Sequence, residues 1–206
     1  MIDHRNCVRL LDVVRGDDGA MLARFPFSKV LMRPNGKFSY EFVAEGFRDP
    51  LSLANDICAA LHYIHGKHII HRDVKPDNIL YDRKNDIFIL GDFGSAVMLS
   101  PSEEGYLKES PATVAFFPPE VCAIDASPKH NGFSADLWAL GLSVYCTVFG
   151  KLPFNVASDS YVDLVDQIAL HADPTSFINH TADAKVRQVL TLLLKQRQYI
   201  TREEFN

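Results

Sequence analysis

Leu53, Ile57, Ala60, Leu61 and Ile64 recur three and four residues apart, the spacing that places side chains on one face of a helix, so a helix is predicted over 50–65. Pro50 falls in its first turn, where a missing N–H costs little, and Gly66 supplies the stop. Upstream, over 6–27, two β-rich runs flank a Gly16-Asp17-Asp18-Gly19 turn. Cys7-Val8-Arg9-Leu10-Leu11 precedes it and Met21-Leu22-Ala23-Arg24-Phe25 follows, which predicts an antiparallel hairpin. Pro34-Asn35-Gly36 is a turn. Phe38, Tyr40 and Phe42 then alternate with polar residues and fit a strand or an irregular connector equally. Ile69-Ile70, Ile79-Leu80-Tyr81 and Ile87-Phe88-Ile89-Leu90 are short apolar strands between polar turns. The stretch 95–119, rich in Pro, Ser and Glu and without a period, reads as a functional loop. Helices are predicted over 136–149, 161–170 and 182–196.

Composition narrows the class. The 206 residues suit one domain, and 47% hydrophobic against 23% charged residues exclude wholesale disorder. With 21 Lys+Arg against 26 Asp+Glu, the formal charge of −5 argues against nucleic acid as a partner, because phosphate neutralisation needs a basic footprint. The apolar stretch 137–149 is shorter than a bilayer span and reads as a buried core helix, so no membrane partner is expected. Cys7, Cys58, Cys122 and Cys146 show no C-x-x-C or zinc spacing. Cys58 and Cys146 read as small buried hydrophobes, and no apolar leader follows Met1, so a reducing, cytoplasmic location is expected.

The chemistry concentrates in His71-Arg72-Asp73-Val74-Lys75-Pro76-Asp77-Asn78, followed by Asp92-Phe93-Gly94. By composition alone the first motif arises on the order of once per million chains of this size. Phosphoryl transfer is mostly positioning and charge neutralisation. Asp73 occupies the place of the carboxylate that accepts the acceptor hydroxyl's proton. Lys75, two residues on, projects to the same side and can neutralise charge on the transferring group. Asn78 and Asp92 supply the hard oxygen ligands that Mg²⁺ favours.

These motifs resemble the eukaryotic serine/threonine protein kinase family, and the likeness continues downstream. Phe116-Phe117-Pro118-Pro119-Glu120 is similar to the A-P-E element, with Pro118 in place of Ala, and Asp136-Leu137-Trp138-Ala139-Leu140-Gly141 to the D-x-W-x-x-G helix whose Asp anchors the catalytic loop. The resemblance implies an α/β (α+β) fold with a mainly helical C-lobe, ATP and Mg²⁺ as cofactors, and a protein substrate. It implies Asp73, Lys75, Arg72 and Thr113 as catalytic residues, Leu80, Asn78 and Asp92 as nucleotide-binding, and Asn78 and Asp92 as metal ligands. Leu80 floors the adenine pocket in that pattern, and Lys75 with Thr113 matches serine/threonine specificity. Phe93, His71 and Leu10 resemble members of the spine that joins the lobes. Ala23 aligns with the position behind the adenine pocket and Arg24-Phe25-Pro26 with the hinge; a core-strand reading of these four is equally good. Tyr145-Cys146-Thr147-Val148-Phe149-Gly150-Lys151-Leu152-Pro153-Phe154 looks most like the calcium/calmodulin-dependent protein kinase kinase branch.

The likeness begins at the family's fourth strand, with Asp3-His4-Arg5-Asn6-Cys7-Val8-Arg9-Leu10; no G-x-G-x-x-G or V-A-I-K-type lysine precedes it. Residues 1–30 then read as an N-lobe remnant with hinge and 31–206 as the C-lobe. A non-catalytic, pseudokinase-like module that docks proteins is the alternative, a non-functional fragment a third. The arginine that the family pairs with Glu120 falls near Tyr199 in this register, one residue short, with Arg197 a substitute; Thr201-Arg202-Glu203-Glu204 opens a further helix. His62, His65, His68 and His71 repeat every third residue, yet only the first two can share a helix face and His71 belongs to the catalytic loop, so the others read as solvated helix-end histidines and not a metal site. Arg72 pairs either with a phosphorylated residue, added by an upstream kinase at Ser95, Ser100, Ser102, Tyr106 or Ser110, or with a neighbouring carbonyl or carboxylate.

Overall fold

Asp49 caps the first helix, α1 (Pro50–His65), accepting the N–H of Ser52 at 2.9 Å and its hydroxyl at 2.7 Å. The helix therefore begins and ends where its periodicity places it. The computed structural model describes residues 2–9, 12–15, 21–24, 29–34, 39–42, 49–100, 102–107, 113–122, 130–154, 160–170, 175–178 and 183–195. Gly66 does not end α1 by a left-handed turn: its φ of −63° is right-handed, and the reversal falls two residues later at His68, φ 57°. The N–H groups of Gly66, Lys67 and His68 are each absorbed by carbonyls of the last turn, which leaves His68 to swing the chain away.

The hairpin forms with its second strand where expected, but its first strand falls later in the chain. Its strands are β1 (Asp12–Arg15) and β2 (Met21–Arg24), paired Asp12↔Arg24 to Arg15↔Met21. Cys7 and Val8 are drawn into the core instead: the Val8 N–H donates to the Leu90 carbonyl and the Leu90 N–H to that of Asn6, both at 2.8 Å. The turn at 16–19, Leu10 and Leu11 lie outside the described residues.

β3 (Lys29–Val30) joins β7 (Ile79–Asp82) and β8 (Ile87–Leu90) in a three-stranded antiparallel sheet, with β7 in the middle. β4 (Met32–Pro34) pairs with β5 (Tyr40–Phe42), so the aromatic alternation is a strand; Asn35, Gly36 and Phe38 lie outside the described residues. β6 (Ile69–Ile70) pairs with β9 (Val97–Met98), and β10 (Tyr106–Leu107) with β11 (His130–Asn131). The loop region 95–119 thus carries strands and a 3₁₀ turn at Val114–Phe116. α2 (Pro119–Cys122) follows it.

α3 (Gly132–Phe149) starts four residues before the predicted position 136, because the Asn131 side chain caps it by accepting the Ser134 N–H at 3.0 Å. Gly150, φ 69°, closes it. At 18 residues α3 is long and apolar enough to cross a membrane, but 78% of it is buried inside the fold. α4 (Tyr161–Leu170), α5 (Thr175–Ile178) and α6 (Ala184–Leu193) complete the helices, α6 being shorter than expected at its start because Asp183 is its cap. Leu53, Ile57, Leu61 and Ile64 of α1 and Leu140, Leu142 and Val144 of α3 have no exposed surface and form the centre of the core. This helical core and a small sheet are the α+β arrangement expected. Cys7, Cys122 and Cys146 are buried thiols, whereas Cys58 is only partly buried.

Candidate active site

The core fixes a loop by fixing its backbone. Asp136, in the second turn of α3 and 1% exposed, accepts the N–H of His71 on Oδ2 at 2.8 Å and that of Arg72 on Oδ1 at 2.9 Å. Arg72 stands at φ 67°, a left-handed conformation that a non-glycine residue keeps only when its surroundings hold it there. His71 Nε2 meets the Gly91 carbonyl at 2.8 Å, and its ring packs edge-on against Phe93 at 4.9 Å. The arginine side chain donates from Nε to the Ser95 carbonyl, so of its two readings the structure shows the neighbouring carbonyl.

Asp73, freed from the helix and strand on either side, gathers its neighbours. Oδ1 accepts the Thr113 hydroxyl at 3.0 Å and the Thr113 N–H at 3.3 Å. Oδ2 accepts Lys75 Nζ and Asn78 Nδ2, each at 2.9 Å. Lys75 Nζ also donates to Thr113 Oγ1 at 2.9 Å. A 3₁₀ turn at Pro76–Asn78 brings Asn78 back onto the loop, where its side chain also donates to the Asp73 carbonyl at 2.7 Å. Burial raises the Asp73 carboxyl, but the hydrogen bond and charge of Lys75 and the bonds from Thr113 outweigh it and hold the group below the ordinary carboxylate range.

Asp92 joins this cluster through the backbone: the Gly91 N–H donates to the Asn78 carbonyl at 2.8 Å, so the next residue starts beside it. Asp92 is exposed, stands at φ 52°, and accepts the Gly94 N–H on Oδ1 at 3.1 Å. Asn78 spends its amide nitrogen on Asp73, leaving its Oδ1 and the Asp92 carboxylate as hard oxygen donors, a set that suits Mg²⁺. Leu80 lies half-buried beside Val8, Ile87, Ile89 and Phe93, an apolar cluster apart from the main core. The structure thus brings together Asp73, Lys75, Asn78 and Thr113, sets Asp92 next to them, and turns the Arg72 side chain to the Ser95 carbonyl. The side chain of Ala23, with Arg24, and residues Phe25, Pro26, Leu10, Ser110, Arg197, Tyr199 and 201–204 lie outside what is described.

Three residues stand in surroundings that the sequence reading did not foresee. His65, expected to be solvated, is partly buried against Asp136, with Nε2 at 2.9 Å from Oδ2. Tyr40 packs edge-on to Phe116 at 6.2 Å. Asp77 buries its Oδ2 with no hydrogen-bond partner among the described residues; burial and, secondarily, the charge of Asp73 raise its carboxyl. Glu120 Oε2 is likewise buried and unpartnered among the described residues, and burial raises that carboxyl too. None of the three has a local pattern to betray it. Among the described residues no three His, Cys, Asp or Glu side chains are grouped to hold a metal.

Comparison with known proteins agrees with the geometry. The sequence pattern of the protein kinase domain matches residues 1–200. The serine/threonine-protein kinase ppk34 of Schizosaccharomyces pombe is 32% identical over 174 residues, 82% of this chain and 46% of that protein. The calcium/calmodulin-dependent protein kinase kinase cmkC of Emericella nidulans is 36% identical over 116 residues, 55% of this chain and 21% of its own length. The serine/threonine-protein kinase GRIK2 of Arabidopsis thaliana is 31% identical over 172 residues, 82% of this chain and 40% of its length. The chain therefore spans less than half of each of these relatives.

Proposed function

This chain belongs to the protein kinase domain family, and from that premise we propose that it transfers the γ-phosphate of ATP to a serine or threonine hydroxyl of a protein. The observation that carries the reading is the Asp73 carboxylate held between Lys75, Asn78 and Thr113 at 2.9–3.0 Å. Held below the ordinary carboxylate range, Asp73 is ionised at neutral pH and can orient the acceptor hydroxyl and take its proton as the new P–O bond forms and the bond to the β-phosphate oxygen breaks. Lys75 sets a positive charge on the same side, and Thr113 fixes both partners. Asn78 and Asp92 would hold Mg²⁺, which when bound neutralises charge on the phosphates. Leu80, with its apolar neighbours, supplies the surface on which the adenine ring would rest.

The resemblance of 145–154 and the 36% identity to cmkC support a place near the calcium/calmodulin-dependent protein kinase kinases. The test is transfer of labelled phosphate from millimolar Mg-ATP to a generic serine- and threonine-rich protein. The native chain is expected to label the acceptor and Asp73→Asn to fall at least 10²-fold. Equal labelling by the two, or none by the native chain, refutes the proposal.

A further inference from the structure

We propose that Ser100 is a phosphorylation site for a proline-directed protein kinase, and that a phosphate there loosens the segment between Gly94 and Thr113 instead of ordering it. Ser100 is exposed and is followed by Pro101. Proline biases the residue before it toward extended backbone and offers no N–H, the form of acceptor that proline-directed kinases take. Three bonds tie Ser100 to Glu103. The Ser100 N–H and hydroxyl both donate to Oε2, at 2.6 Å and 2.8 Å, and the Glu103 N–H donates to the Ser100 carbonyl at 3.0 Å. The Ser102 hydroxyl stands 3.1 Å from that of Ser100. The bonds from Ser100 hold the Glu103 carboxyl below its ordinary range, so it is ionised at neutral pH. This turn lies between two tied points. Ahead of it, β9 pairs with β6 and the Leu99 N–H donates to the His68 carbonyl at 2.8 Å. Behind it, the Gly105 carbonyl accepts the Gly132 N–H at 2.9 Å and β10 pairs with β11.

Modification moves the γ-phosphate of ATP to Ser100 Oγ: the Oγ–P bond forms, the bond to the β-phosphate oxygen breaks, and the hydroxyl proton passes to the modifying enzyme's base. The hydrogen once given to Glu103 is gone, and a group of about −2 charge takes its place against an ionised carboxylate. Glu104 follows with a further negative charge. An ordering phosphate needs a cation to receive it. Among the described residues no lysine or arginine charge acts on Glu103, and Arg72 Nε is taken by the Ser95 carbonyl. Repulsion therefore opens the turn, and the slack passes to the two short strand pairs on either side.

The inference rests on the kinase reading only for the activity lost, so its test starts with a readout independent of activity. The native chain, Ser100→Ala and Glu103→Gln are treated with two purified proline-directed enzymes, a mitogen-activated and a cyclin-dependent protein kinase, and Mg-ATP. Mass spectrometry locates the phosphate. Phosphate on Ser100 of the native chain is expected, and its absence overturns the proposal. Amide exchange over 97–107 is expected to rise roughly 10- to 100-fold on phosphorylation, while 53–64 stays unchanged. Phosphorylated Glu103→Gln, whose carboxamide oxygen still accepts but carries no charge, is expected to keep most of the protection. Unchanged or greater protection in the phosphorylated native chain overturns the loosening, as does an equal rise in Glu103→Gln. In phosphoryl transfer to protein, the phosphorylated chain is expected to lose about tenfold in kcat, and Ser100→Ala, treated identically, to lose nothing. An unchanged or raised kcat overturns the effect on activity. A native chain that transfers no phosphate before treatment refutes the kinase reading and leaves the exchange result standing.

Discussion

Thr113 and Asp73 lie 40 residues apart and meet twice at one oxygen, the Thr113 hydroxyl at 3.0 Å and its N–H at 3.3 Å from Asp73 Oδ1. The contact ties the start of the Val114–Phe116 turn to the catalytic loop, so the segment that would face the acceptor protein and the group that would take its proton move as one. Lys75 completes a triangle with both, which makes the pair sensitive to the loss of a single hydroxyl.

Thr113→Ala removes that hydroxyl and with it one of the bonds that hold the Asp73 carboxyl low. A group whose folded pKa lies below its unfolded value, about 3.9, stabilises the fold above that pH and loses the contribution as pH falls through the folded pKa. In Thr113→Ala the folded pKa rises, so both the acid limb of kcat and the acid unfolding midpoint are expected to move to higher pH. The alanine variant is expected to lose about tenfold in kcat, and Thr113→Ser to recover it. Rate and circular dichroism measured across pH 3–8 check this; coincident profiles for Ala and native contradict it.

Asp77 is the opposite case. Its carboxyl is raised by burial, so its contribution is present below the unfolded pKa and is lost as pH rises through the folded one. Asp77→Asn is expected to be more stable than native at pH 7 by up to about 1 kcal/mol, kept small because the residue is half-exposed. That corresponds to a Tm gain of roughly 2–4 °C, closing toward pH 4. Calorimetric melting at the two pH values measures it, and a gap that widens in acid is the contrary result.

Gly141→Ala probes the helix interface. A Cβ there would stand 2.6 Å from Leu194 Cδ2, 2.8 Å from its Cγ and 3.0 Å from Leu193 Cβ. With α3 and the C-terminal end of α6 packed this closely, overpacking is expected to cost about 1–3 kcal/mol and lower Tm accordingly. Denaturant unfolding tests the figure, and an unchanged midpoint would show that α6 yields without cost.

Mg-ATP is expected to bind the 206-residue chain more weakly than micromolar, because these residues include no G-x-G-x-x-G to cover the phosphates. Isothermal titration of the chain settles this, and micromolar affinity would show that the Asn78, Asp92 and Leu80 surface suffices by itself.

Much of this was written locally. The period of Leu53 to Ile64 located α1 residue for residue, and α4 was placed equally well, because an apolar stripe at helical spacing must be buried somewhere. The motif spacing likewise named Asp73, Lys75 and Asn78 before any contact was known, and the family resemblance implied Thr113. Caps shifted the other ends: Asn131 began α3 early and Asp183 began α6 late, since a side chain that satisfies free N–H groups outweighs the apolar run. Cys7 and Val8, apolar enough for a hairpin, were claimed by Leu90 from 82 residues away in Val8's case, a competition no local window contains.

The order of side chains along the chain by itself determined that acid, base and oxygen ligands would occur at intervals suited to phosphate chemistry, and that helices would bury them a scaffold. Only the folded packing decided which groups share an oxygen. Asp136 clamps the loop, His65 meets Asp136, Thr113 reaches Asp73 and Asp77 Oδ2 is left without a donor among the described residues, because each of these depends on elements distant in sequence being pressed together by the same core. Hydrogen bonds act over about 3 Å, and sequence spacing carries no information on that scale once the chain has turned away from itself.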